Sequence, residues 1–525
     1  MVTGSTNAPL VVFAWDAGDP DFFQQWVKDG TLPNLATVMQ RGCWSLIPEP
    51  KLFTDFGQWT SLLSGVPRHR SGYYYFRQLV PGTYDLRAFS HLDADAVPFW
   101  AYLRGTGKRA AIIDAPESAP VPGLDGIQLS QLAERHLPQR KIPLFAGPPE
   151  VLEEARRVFG KQIRIIDFDP DSTPREDAKI LRLMLDRIER KGRLSRHFCG
   201  KTRYDLIVIG YFEGHDASHR FWDYRAGEPG QQAGEVFGLT HGIRHVYQAI
   251  DRELGLLLAS LPVEATVVIL SCYGMGHGFP SSGLIDSFCH ELGYQVPRPG
   301  RVGLNPLDLL RRMVPQPWRL ALSGHLPVTV QERLLANQFR NCTDWARTQA
   351  FGIPSAHSSF VRVNLRNREP EGVICTDKEY DSLMDRLETD LASLIDPVTG
   401  EAAVELIERT CQLSNGAPPI KIPDLFVRWK GHRRFVDRLI HPQAEVRQKP
   451  AWYHRGSEHS GLGFFAATGP SITPRGRLDD VTSLDVAPTF LALMGQPIPP
   501  EVGGTPIPSL VPKGSFARTG THTQA

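Results

Sequence analysis

Three apolar runs, each handing off to a polar cluster, constrain this fold more than any other feature of the chain. Leu10-Val11-Val12-Phe13-Ala14 runs into Trp15-Asp16. Leu206-Ile207-Val208-Ile209-Gly210-Tyr211-Phe212 runs into Glu213-Gly214-His215-Asp216-Ala217-Ser218-His219. Val267-Val268-Ile269-Leu270-Ser271 runs into Cys272-Tyr273-Gly274-Met275-Gly276-His277. Strands buried on both faces read as continuous apolar stretches, and open α/β sheets bind their ligands beyond the carboxyl ends of such strands. Three distant segments are therefore expected to converge on one site, and two of them carry histidines with spacing suited to a metal.

The intervening pattern is helical. Helices are expected over 21–27, 32–39, 59–65, 175–200, 232–260 and 378–394, with further strands at 44–47, 108–114 and 360–365. Strands alternating with helices predict an α/β chain with a mainly parallel central sheet sandwiched by helices. The stretch 115–149 is rich in Pro and Gly. With 22% charged residues and a net charge of +1, nothing calls for nucleic acid or a membrane surface as partner. The N-terminal residues resemble neither a signal peptide nor a spanning helix. Seven scattered cysteines without a CxxC pair argue for reduced thiols, so a cytoplasmic location is the default expectation. The oligomeric state is left open.

Several short motifs, in order along the chain, resemble the alkaline phosphatase superfamily, in particular its type I phosphodiesterase and nucleotide pyrophosphatase branch. They are Asp16-Ala17-Gly18-Asp19-Pro20, Gly30-Thr31-Leu32-Pro33-Asn34-Leu35, Trp59-Thr60-Ser61-Leu62-Leu63-Ser64-Gly65-Val66-Pro67, the stretch 362–373, Gly456-Ser457-Glu458-His459-Ser460-Gly461, Asp485-Val486-Ala487-Pro488-Thr489 and Gly495-Gln496-Pro497. The resemblance implies one large domain over 1–511, with insertions at 77–200 and 278–350 and a disordered tail over 512–525.

It also implies a chemistry. Such enzymes hydrolyse phosphate or related esters with two metals, one activating a Thr or Ser nucleophile and the other steadying the leaving oxygen. Asp16 stands where the first carboxylate ligand belongs, and Thr54 where the nucleophile belongs, with Asp55 as an alternative if the alignment slips by one residue. His215 and His219, four apart, share one helix face and can share a metal, with Asp216 as an alternative ligand in the same turn. His459 would complete that site, with His454 as a competitor. The third cluster departs from the family's Ser-Asp-His-Gly-Met: here it reads Ser271-Cys272-Tyr273-Gly274-Met275. Cys272 as a thiolate, or His277 swinging in, could replace the missing ligands; otherwise that metal site is gone. Arg68 and Arg70 are candidates to neutralise a phosphate, and Tyr73 to Phe76 either stack a substrate ring or pack in the core.

The first expectation is thus a metal-dependent hydrolase of phosphate mono- or diesters. It would use zinc or a similar divalent ion, one or two per chain, and a small phosphorylated substrate, through a phosphoenzyme on Thr54. The replacement at Cys272-Tyr273 motivates the alternatives: a non-hydrolytic descendant that binds an anionic ligand, phosphoryl transfer to another acceptor, or phosphonate hydrolysis. A sulfatase reading ranks low, because the Thr54 region lacks a Cys/Ser-x-Pro-x-Arg frame.

Overall fold

A computed structural model describes residues 8–54, 56–132, 144–165, 169, 171–278, 281–298, 339–355, 358–414, 416–450, 455–479, 481–511 and 516–519. Asp55, His454 and most of 281–340 lie outside the described residues.

The strands of the central sheet are Leu10–Trp15 (β1), Cys43–Ile47 (β2), Ala110–Ile113 (β3), Gly126–Ser130 (β4), Phe145–Gly147 (β5), Leu206–Tyr211 (β6), Thr266–Ser271 (β7), Gly463–Thr468 (β8) and Gly476–Arg477 (β9). Their spatial order is β9-β2-β8-β7-β1-β6-β3-β4-β5. The middle of the sheet, β7-β1-β6-β3-β4, is parallel throughout, and β8 and β5 run antiparallel to their neighbours. The two longest apolar runs, β1 and β6, are buried at every position, as expected for strands covered on both faces. Ala14 sits beside both Gly210 and Leu270. This register brings the ends of β1, β6 and β7 to one edge, where Asp16, the helix after β6 and Cys272 leave the sheet.

Helices flank this sheet. Pro174–Lys201 begins at a capping box, with Thr173 and Glu176 each satisfying the other's backbone N–H, and packs on Gly242–Ser260. The helix expected over 232–260 is two helices, Gln231–Phe237 and Gly242–Ser260. Gly238 breaks it in the left-handed region at φ 71°, which leaves Val236 exposed at 72% rather than on the buried stripe. The segment 77–200 is woven into the core, since it supplies β3, β4, β5 and the Pro174–Lys201 helix. No described helix is long and apolar enough to cross a membrane.

Close backbone approach fixes one glycine on β6. A Cβ on Gly210 would lie 1.9 Å from the Asp114 carbonyl oxygen, and backbone cannot give way as a side chain can. Gly210→Ala is therefore expected to destabilise the protein by about 1–3 kcal/mol or more, read as a lowered thermal midpoint.

A second, antiparallel sheet orders its strands Ala350–Ile353, Ser359–Val363, Leu425–Trp429 and Val404–Arg409. The helices Leu284–Glu291 and Asp377–Ala392 share its apolar cluster, through Phe288, Leu383, Leu387 and Leu391 among others. A further cluster joins this sheet to the stretch after Thr54. Tyr74 and Tyr75 are buried there, with Tyr74 edge-on to Phe360 at a centroid distance of 5.0 Å. The aromatic run after Arg70 is thus packing. Near the C-terminus, Thr519 donates to the Ile498 carbonyl at 3.1 Å and Ile498 donates to that of Ala517 at 2.9 Å, so part of the tail expected to be disordered pairs with the body.

Candidate metal centre

The helix Glu213–Phe221 follows β6 directly and carries two faces of different chemistry. One face holds Glu213 and Asp216, which bind the buried Arg187 at 2.7 and 2.6 Å. Lys191 joins them, 3.6 Å from Glu213 and 3.3 Å from Asp114. None of these side chains is more than 3% exposed. Burial alone would raise the Glu213 pKa, but Lys191 and Arg187 outweigh it and hold the carboxyl below its ordinary value. Asp216, weighed above as a ligand, is committed to Arg187. Gly214 lets this helix close on β1, since a Cβ there would lie 2.8 Å from Trp15 Nε1.

The other face presents His215 and His219, one turn apart. His459 meets them from a two-stranded ribbon, Ser457–Ser460 paired antiparallel with Gly274–His277. His459 Nε2 lies 2.8 Å from His215 Nε2 and 3.1 Å from His219 Nε2, and the possible ligand atoms of the three residues all fall within 4.8 Å of one another. On His215 and His219 the outer nitrogen is held. His219 Nδ1 sits 3.1 Å from Ser457 Oγ, whose own proton points to the Ser218 carbonyl, so the imidazole donates and the serine accepts. His215 Nδ1 lies 3.2 Å from Asp16 Oδ2, close in distance though off the ideal hydrogen-bond line. A protonated Nδ1 leaves the Nε2 lone pair facing the cluster. This donor set fits zinc or a similar ion. Tetrahedral zinc with bonds of about 2.0–2.1 Å needs ligand nitrogens about 3.3 Å apart, and the two nitrogen pairs made by His459, at 2.8 and 3.1 Å, lie close to that spacing.

Asp16 follows β1 and is fully buried. Its Oδ1 accepts from Trp59 Nε1 at 2.6 Å and from the Tyr273 hydroxyl at 2.8 Å. The Tyr273 ring also lies against His459, with centroids 4.6 Å apart.

Among the described residues, the cluster able to hold an ion is His215, His219 and His459, and it does not include Asp16, Cys272 or His277. Cys272 is buried at the end of β7. His277 accepts from Trp222 Nε1 at 3.2 Å on Nδ1 and has Nε2 3.4 Å from Glu228. Thr54 is buried, and its hydroxyl bonds run to Phe56, Tyr74 and Arg68 rather than to an imidazole. Arg68 thus turns inward onto Thr54, while Arg70 is exposed.

A cavity of about 380 Å³ opens beside His459, between the ribbon and the second sheet. Glu49, Glu405, Arg428, Lys430 and Glu458 line it together with Trp429 and His277. Arg428 pairs there with both Glu49 and Glu405.

Three residues of this site escaped sequence reasoning: Ser457, Trp59 and Tyr273 in its role on Asp16. Ser457 had a usable signal, since it lies two before His459 and a strand puts such residues on one face. The partners of Asp16 had none, because they depend on contacts across the fold.

No protein-family model matches the chain, and no curated protein matches it. Among solved structures, phosphonoacetate hydrolase from Sinorhizobium meliloti 1021, in complex with phosphonoformate, superposes with a TM-score of 0.50 at 13% identity, over 92% of this chain and 94% of that one. Human ectonucleotide pyrophosphatase/phosphodiesterase 5 superposes with a TM-score of 0.47 at 10% identity, over 93% of this chain and 94% of that one. The first likeness shows the fold, so the alkaline phosphatase-like α/β architecture implied by the sequence motifs is the architecture of this chain.

Proposed function

We propose that the protein is a metal-dependent hydrolase of small organophosphorus compounds, phosphate esters or phosphonates, working at the His215/His219/His459 centre. The observation that carries this reading is the convergence of three imidazole Nε2 atoms, two of them backed by a partner on Nδ1. The likeness in fold to a phosphonoacetate hydrolase supports it. A divalent ion, zinc by the donor set, would act as a Lewis acid on a phosphoryl oxygen. The chain's own part is to hold the imidazoles in one tautomer and orientation. The cavity beside His459 suits a small molecule rather than a polymer.

Thr54 is the proposed nucleophile. Its oxygen accepts from the Arg68 guanidinium, a fixed cation that would steady negative charge developing there. Its proton is donated toward the carbonyls of Tyr74 and Phe56, so attack requires the hydroxyl to turn away from them. Free cysteines throughout fit a reducing, cytoplasmic setting. A second reading, a ligand-binding descendant without turnover, is favoured by the engagement of Asp16 with protein donors.

The test is a panel of aryl phosphate monoesters, aryl phosphate diesters and small phosphonates with the zinc-loaded protein. Saturable turnover that a chelator removes and zinc restores is expected. Loss of turnover in Thr54→Ala, with the ion still bound, assigns the nucleophile to Thr54; retained turnover assigns attack to water. An ion-loaded protein inert to the whole panel would establish the ligand-binding reading instead.

A further inference from the structure

The surroundings of Asp16 set how many ions the proposed centre holds. In a two-metal hydrolytic site the ions stand about 3.5–4 Å apart, so a second ion beside the imidazole cluster would need a carboxylate oxygen of its own. Asp16 is the carboxylate in place; its Oδ1 is filled by hydrogen bonds and its Oδ2 is turned toward the His215 ring. Oδ1 has two lone pairs and receives two protons, from the indole of Trp59 at 2.6 Å and the phenol of Tyr273 at 2.8 Å. Oδ2 faces His215 Nδ1 at 3.2 Å. Asp16, Trp59 and Tyr273 are at most 3% exposed, so a second ion would have to break buried hydrogen bonds with no water to replace them. The Tyr273 ring against His459 also fills space on that side of the cluster.

We infer that the centre is built for one ion, that Tyr273 and Trp59 hold Asp16 where a second ion would otherwise bind, and that Asp16 is a positioning residue for His215. The inference rests on the hydrolase reading for the existence of the ion and deepens it by fixing the count and the task of Asp16.

The experiment strips the full chain with a chelator, titrates it with zinc, counts the bound ion by elemental analysis and measures affinity by competition with a coloured chelator. The wild type, Asp16→Asn and Tyr273→Phe are compared. One ion per chain is expected in all three. In Asp16→Asn an amide NH₂ can meet the His215 ring N–H with a second donor, so affinity is expected to fall about 10- to 100-fold, the usual effect of losing a group that orients a metal-bound histidine. Tyr273→Phe keeps the ring and loses one donor, and a smaller loss of affinity is expected; it also carries the test if Asp16→Asn does not fold. Two ions in the wild type, falling to one in Asp16→Asn, would overturn the inference and leave the hydrolase reading standing. Unchanged affinity in both variants would overturn the positioning role. No ion in the wild type would overturn the hydrolase reading itself.

Discussion

His459→Ala is expected to leave a folded protein that no longer retains an ion through desalting, with turnover lowered by on the order of a thousandfold. The size follows from the role. Lewis-acid assistance at a phosphoryl group is worth several kcal/mol, and about 4 kcal/mol corresponds to a thousandfold in rate. His459 Nε2 lies 2.8 and 3.1 Å from the Nε2 atoms of His215 and His219, and its loss leaves two imidazoles on one helix face. It is only half-buried and sits on a short ribbon, so truncation to alanine removes little core. Zinc content and turnover are measured side by side. Full zinc content in the variant would remove His459 from the ligand set. His277→Ala is the useful contrast, because His277 lines the same cavity and lies outside the cluster; its zinc content is expected to be unchanged.

The largest expected effect on stability lies one layer behind the imidazoles. Arg187→Met removes the cation shared by Glu213 and Asp216, leaving two buried carboxylates with Lys191 as the remaining cation near Glu213. Breaking a buried pair from one side costs about 3–5 kcal/mol, read as a fall in the thermal midpoint at neutral pH. The same network predicts acid sensitivity. The Glu213 carboxyl is held below its ordinary value in the folded chain, so its contribution is present above the ordinary carboxylate range. That contribution is lost as pH falls through the depressed folded value. An Arg187→Met protein with an unchanged midpoint would show that the packed helices alone suffice. A second readout is zinc affinity, expected to weaken because the helix bearing His215 and His219 loses its anchor.

The parts of the fold legible in the sequence were those set by local pattern. β1, β6 and β7 stood out because each is a continuous apolar run, and the Pro174–Lys201 helix because it is long and charged. β4 and β5 were hidden within the Pro- and Gly-rich stretch 115–149, where turn residues mask short strands. The break at Gly238 was missed because the apolar spacing runs on across it from Val236 to Leu239, and periodicity is blind to one left-handed residue. In the site, the spacing of His215 and His219 encodes a shared helix face, and the frame around His459 singled it out over His454. What Asp16, Cys272 and Tyr273 do was not legible. Adjacent residues at a strand end point in different directions, and only the assembled sheet shows that the tyrosine reaches the carboxylate while the cysteine stays buried.

The chain order of the site has a consequence for biosynthesis. His219 and His459 are 240 residues apart. β8 inserts between β2 and β7, so two strands of the sheet wait with open edges until residues 463–468 leave the ribosome. Domains form from the N-terminal end as the chain emerges, at about 5–20 residues per second, and an open strand edge invites pairing with other chains. The nascent polypeptide therefore spends on the order of ten seconds or more after His219 appears without either His459 or its closing strand. On the proposed function, ion capture would be a final event of synthesis, and a product truncated before residue 457 would lack both His459 and the strand that closes the sheet.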